Sequence, residues 1–177
     1  MKKVILTTLL LISSCAYSNN ITACFTPGGN CTQQIVDTIN TAQHTIDVQA
    51  YNFTSMPIMQ ALASAEDRGV KVEILLDKSN SQQRYQYVTS FLQENNIPFM
   101  IDYRPAIAHN KVMVIDDSTV ITGSFNFTDS AQKRNAENLL IIHDPTLAQQ
   151  YEANFNSREK VSLSLTAYQQ YRLSKKK

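Results

Sequence analysis

The chain has 177 residues, with 16 Lys plus Arg against 15 Asp plus Glu, three cysteines and no tryptophan. That length suits one domain with a sizeable core. The formal charge of +1 argues against a protein that coats nucleic acid through a basic surface, so any such affinity must come from a local patch.

Met1-Lys2-Lys3, the apolar run Val4 to Ile12, and the small and polar residues after it have the form of a secretory signal peptide. The apolar run is too short for a membrane span, which needs roughly 20 residues. Cleavage after Ala16 or Ser18 leaves small residues at the required sites, while Ile12-Ser13-Ser14-Cys15 also resembles a loose lipoprotein box that would make Cys15 the lipidated first residue. The expected organisation is a leader over 1–18, a folded domain over 19–160, and a polar, basic tail over 161–177 that ends in a disordered Lys175-Lys176-Lys177. Loss of Lys2 and Lys3 with the leader takes two from the 16 basic residues, so the mature chain is near neutral. Export to the periplasm or the medium permits a disulfide between Cys24 and Cys31 around Pro27-Gly28-Gly29, with two free thiols as the alternative. Zinc is disfavoured, because His44 and His143 lack ligand spacing.

Along the chain, Thr32 can cap a helix with Ile35, Val36, Ile39 and Ala42 on one face. Ile46 to Phe53 reads as a strand. Ser55 caps a helix that has Pro57 in its first turn and stops at Gly69. Val70 to Leu76 is a buried strand, Gln82 to Glu94 a helix, and Pro98 to Tyr103 a further strand. A hairpin follows, then a loop, the strand Leu139 to His143, and a helix from Pro145 to about Arg158. The alternation predicts an α/β domain, a mixed β-sheet with helices on both faces.

The hairpin carries the chemistry. Lys111 to Ile115 and Thr119 to Thr122 are rich in Val, Ile, Met and Thr, and Asp116-Asp117-Ser118 between them is turn-forming. With Asp117 and Ser118 at the tip, Asp116 faces Thr119, Lys111 faces Ser124 and His109 faces Asn126. Side chains alternate faces, so His109, Lys111, Ser124 and Asn126 project from one side and Val112 and Val114 from the other, into a core. Imidazole can act as nucleophile or proton carrier, and ammonium, hydroxyl and amide can hold phosphate oxygens. A His-x-Lys pair alone would more simply be a surface hairpin; the agreement across strands weakens that reading. Lys133 and Arg134, with Lys78 and Arg84 at another strand's end, are candidates for a basic patch around Lys111, or else a scatter of solvated charges. Tyr51, Phe53, Phe125 and Phe127 read as packing around the site.

His109-x-Lys111 followed by Asp116, then Gly123-Ser124-x-Asn126, resembles the phospholipase D superfamily signature. Ala50 to Ser55 (AYNFTS) and Asn135-Ala136-Glu137-Asn138 look like the small bacterial nucleases of that superfamily, and the resemblance runs from about Phe25 to about Arg158. It implies a phospholipase D/nuclease-like fold and a catalytic set of His109, Lys111, Asp116 and Glu137. Lys111, Asn126 and, more weakly, Ser124 would hold the phosphate, and no metal or other cofactor is implied. Glu137 would accept a hydrogen bond from His109 and orient it. Asp116 has the opposite strand parity and lies at the turn, so hairpin geometry gives it a supporting role. The signature occurs once, and one histidine cannot be both nucleophile and proton donor. The resemblance therefore implies a homodimer in which two copies of His109 meet at one site. The leading expectation is an exported, metal-independent, non-specific endonuclease acting on DNA or RNA through a phosphohistidine. The alternatives are a phospholipase D releasing phospholipid head groups, and an inactive nucleic-acid-binding or secretion-associated protein.

Overall fold

The computed structural model describes residues 20–175. The expected leader and Cys15, and the last two lysines of the terminal run, lie outside them. Seven strands form one mixed sheet: β1 Asn20–Thr26, β2 Thr45–Ala50, β3 Lys71–Asp77, β4 Phe99–Asp102, β5 Lys111–Ile115, β6 Thr119–Gly123 and β7 Glu137–His143. Their order is β1-β7-β6-β5-β2-β3-β4. Pairings β2/β3 and β3/β4 are parallel and the remaining four antiparallel. The parallel pairs follow from helical crossovers, α2 Met56–Asp67 and α3 Gln86–Glu94, because a parallel partner cannot be reached by a tight turn. Strand β1, not expected from the sequence, forms the free edge beside β7.

Helix α1, Cys31–Thr41, and α2 cover one face. Their Ile35, Ile39, Ile58 and Leu62 are fully buried in one cluster with Ile46, Val48, Met113, Ile115 and Ile121 of the sheet. Each such side chain contributes roughly 2 kcal/mol by leaving water. The short helix α4, Asp129–Lys133, lies between β6 and β7 in the chain, and helix α5, Pro145–Glu159, lies on the other face, where Ala148, Leu147 and Tyr151 pack on Val112, Val114 and Val120. Helices thus cover both faces, and the larger core lies on the side of Lys111, not of Val112 and Val114. The Asp102 carboxylate takes two hydrogen bonds from Arg158 (2.9 and 2.5 Å), which pins the end of α5 to β4.

Local chemistry moves several boundaries. Asn30, not Thr32, caps α1, its side chain accepting from Gln33 N. Two short 3-10 turns at Lys78–Ser81 and Gln83–Tyr85 precede α3 where a continuous helix from Gln82 was expected. Segment 161–174 is no tail. Leu163 bridges Ile101, and helix α6, Leu165–Ser174, docks Tyr168 against the sheet's last strand. The composition there is polar because that helix buries little besides Tyr168, which is 6 % exposed.

Cys24 and Cys31 are disulfide-bonded with Cα atoms 5.6 Å apart, joining β1 to α1. Gly29 fits inside this loop because a Cβ there would lie 2.4 Å from Phe25 O. Closing so short a loop restricts the unfolded chain, so replacing both cysteines with serine should lower stability by about 2.5 kcal/mol in urea denaturation.

Candidate active site

The hairpin turns over three residues, not two. Ile115 pairs with Thr119, Val114 with Val120 and Met113 with Ile121. Asp116 and Asp117 have φ of 50° and 52°, a left-handed region that aspartate tolerates. The register is thus one residue away from expectation, which by strict alternation would turn Ser124 and Asn126 away from His109 and Lys111. A bulge restores the parity. Ser124 N and Phe125 N both donate to Asn138 O, at 3.0 and 3.2 Å, so one extra residue is absorbed after Gly123. Gly123 is required there: its φ is 149°, and a Cβ would lie 2.3 Å from Asn138 O.

With parity restored, His109, Lys111, Ser124, Asn126 and Glu137 line one open cavity of about 610 Å³, together with Gly123 and Asn138. His109 is delivered by the loop before β5. Asp77, 3 % exposed, accepts from Ala108 N at 2.8 Å, Lys78 donates to Pro105 O at 2.7 Å, and Tyr51 N donates to Asn110 O at 2.9 Å. The Tyr51 ring lies 4.6 Å from the exposed His109 ring, which has no hydrogen-bond partner among the described residues. The sequence reading missed Asp77 as an anchor, because only the fold brings the end of β3 beside this loop.

Lys111 is 6 % exposed; its ammonium donates to His109 O at 2.8 Å and lies 5.2 Å from the Tyr51 ring centre. Burial pushes its pKa down, and Glu137 partly offsets this. An anionic ligand would complete the offset. The Asn126 amide oxygen is buried without a partner, so the chain itself does not satisfy this side chain. Phe53, Phe125 and Phe127 are fully buried and form the packed floor; Tyr51 is the aromatic at the surface of the site.

Glu137 and Ser124 depart from expectation. The Glu137 carboxylate accepts from Ser124 Oγ at 2.5 Å and from Asn135 Nδ2 at 2.9 Å, and not from His109. Ser124 Oγ in turn accepts from Asn138 N at 3.0 Å. A hydroxyl has one proton, so Ser124 holds Glu137 in place and has none left for a phosphate.

Asp116 is not in the cavity. Its carboxylate accepts from the backbone N–H groups of Gln43, His44 and Thr45 at 2.8, 2.7 and 3.0 Å, tying the hairpin turn to the start of β2. Its expected place in a catalytic set is thereby corrected to a structural one. Burial pushes this carboxyl up, but the three N–H bonds outweigh it and hold the pKa below the usual carboxylate range. The stability so gained is full above the unfolded value near 3.9 and is lost as pH falls through the lower folded value. Asp116→Ala should therefore cost about 2 kcal/mol at pH 7 and flatten the acid side of the stability profile, measured by denaturation between pH 2 and 7. Turnover per folded molecule should change little.

The expected basic patch does not assemble around Lys111. Lys133 pairs with Asp129 at 2.8 Å, Arg134 bonds Ser130, Arg84 lies over the Tyr85 ring, and Lys78 is spent on backbone carbonyls.

Taken together, a mixed sheet that presents an imidazole, a buried ammonium and an amide to one open cavity defines an enzyme of phosphodiester hydrolysis. The chain belongs to the phospholipase D superfamily: the family described as "Cardiolipin synthase, PLD-like domain" matches residues 35–158. It is 49 % identical over 144 residues to a phospholipase D of Rickettsia prowazekii, a match covering 81 % of this chain and 70 % of that protein. Among solved structures it is similar to Nuc of Salmonella typhimurium, a phospholipase D family member, with 32 % identity, a TM-score of 0.78, and coverage of 82 % of this chain and 97 % of Nuc. NucT of Helicobacter pylori shares the fold at 21 % identity and a TM-score of 0.76, covering 83 % of this chain and 99 % of NucT.

Proposed function

We propose that this protein is an exported, metal-independent phosphodiesterase that works through a phosphohistidine on His109, in a homodimer whose copies share one site, and that it cleaves nucleic acid without sequence preference. The observation that supports this best is the exposed His109 imidazole, with no hydrogen bond to it among the described residues, beside the buried Lys111 ammonium. His109 attacks phosphorus, a P–N bond forms and the P–O bond to the leaving group breaks with its electron pair on oxygen. A second imidazole supplies the proton to that oxygen, then takes one from water as water displaces His109. Lys111 and Asn126 hold the non-bridging oxygens. Glu137, fixed by Ser124, favours the charged form of the Lys111 ammonium.

The second imidazole must come from another copy. His143 ends β7 and bonds Thr119 at 2.9 Å, about 20 Å along the strand from Glu137, and exposed His44 lies beside Asp116. Neither can reach the cavity. The nuclease reading draws on the likeness to Nuc over nearly all of that chain.

A phospholipase D acting on phospholipid head groups is the second reading, favoured by the name of the 49 % identical relative. Plasmid cleavage in excess EDTA, set against choline release from phosphatidylcholine vesicles by the same preparation, decides between them. Cleavage that is absent, or unchanged in His109→Ala, would sink the nuclease proposal. Binding of DNA without turnover would revive the inactive alternative.

A further inference from the structure

We propose that helix α6 builds a second anionic subsite beside His109, which takes the phosphate next to the scissile one in a polynucleotide; this rests on the nucleic-acid reading above. Helix α6 lies beyond the family-matched segment 35–158. It is nonetheless firmly placed: Ile101 and Leu163 exchange backbone hydrogen bonds of 2.7 and 3.1 Å, and Tyr168 and Tyr171 pack on Tyr103 with ring centres 5.8 and 4.9 Å away. The docked helix closes a cavity of about 310 Å³ against the loop that carries His109.

Tyr51 links the two cavities. It lines the second, and its ring is 4.6 Å from the His109 ring and 5.2 Å from the Lys111 ammonium, which line the first. Arg172 also lines the second cavity, an exposed guanidinium with no ion pair or hydrogen bond among the described residues. Lys78 adds positive charge, although its ammonium already donates to Pro105 O. Asp77 also lines the cavity, but its two oxygens are committed to Ser79 N and Ala108 N, both at 2.8 Å. The local balance is two cations to one saturated carboxylate.

The remaining lining suits the nucleoside between two phosphates. Tyr51 offers ring surface, and Ile107, 54 % exposed, sits two residues before His109. Aromatic and aliphatic surfaces of this kind hold bases by stacking, without sequence preference. A planar guanidinium is matched to phosphate oxygens. A substrate with a single phosphodiester would fill only the His109 cavity.

The test compares wild type, Arg172→Gln and Arg172→Lys on bis(p-nitrophenyl) phosphate, which has no neighbouring phosphate, and on an oligothymidylate. Arg172→Gln should lower kcat/KM about tenfold on the oligonucleotide and leave the small diester unchanged, with Arg172→Lys retaining most activity. The slope of log KM against log salt should fall by about 0.7 in Arg172→Gln, the loss of one phosphate contact on a single strand. Arg172 has no ion pair or hydrogen bond among the described residues, so its replacement leaves the fold intact. Equal losses on both substrates, or none on the oligonucleotide, overturn the subsite. A loss confined to phosphatidylcholine vesicles containing anionic lipid would assign Arg172 to a lipid surface and overturn it too. If wild type hydrolyses the small diester and not the oligonucleotide, the nucleic-acid reading is what fails, and the subsite falls with it.

Discussion

His109→Ala is expected to lower kcat by about four orders of magnitude, because in the proposed mechanism it removes both the nucleophile and the proton carrier. Folding should be unaffected, since the ring is exposed and makes no hydrogen bond among the described residues. The same variant tests the shared site. If two copies of His109 are needed together, mixing wild type with excess His109→Ala under conditions of subunit exchange should lower activity as the square of the wild-type fraction. Two independent sites would instead give a linear decline. Activity measured against mixing ratio therefore distinguishes a site made by two copies from a site complete in one.

Lys111→Met should separate activity from stability. Loss of the fixed charge on the non-bridging oxygens should reduce kcat/KM by about 10²- to 10³-fold. Stability should hold or rise, because a buried ammonium with one backbone carbonyl as partner carries a desolvation cost that an apolar side chain of similar shape does not. Calorimetry and steady-state kinetics on the same preparation check both halves. In wild type the lowered pKa has a further consequence. The ammonium loses its proton at a lower pH than an ordinary lysine near 10.4, so the alkaline limb of kcat/KM should begin below that value. Above it, phosphate binding weakens as the charge disappears.

These residues also show where reading the sequence succeeds. The spacing of His109, Lys111, Ser124 and Asn126 around a turn identified the cavity's lining, yet the geometry behind it involved two displacements of one residue each. The turn takes three residues where two were expected, and the bulge after Gly123 takes up one more, so the faces come back into phase. Alternation is a local rule and registers neither event. A left-handed Asp116-Asp117 and a glycine pressed on Asn138 O are both compatible with the sequence, but nothing in the sequence compels them. Strand parity does separate Asp116 from the groups that line the cavity. What it could not supply was the destination of that carboxylate, three backbone N–H groups more than seventy residues earlier in the chain.

The sequence by itself determined the alternation of strands and helices, the apolar faces of α1 and α2, and the set of residue types that can do chemistry at phosphorus. Those follow from periodicity and from functional-group chemistry, which are local. Only the tertiary structure decided which partner each polar group takes. Ser124 is spent on Glu137, Lys133, Arg134, Arg84 and Lys78 are spent on neighbours, and Asp77 reaches across from β3 to hold the His109 loop. It also decided that 161–174 is part of the domain, because a helix with one buried tyrosine is recognisable only once Tyr103 and Ile101 are in place to receive it. Hydrogen bonds and docking contacts between distant segments depend on positions in space, and a linear pattern does not encode those positions directly.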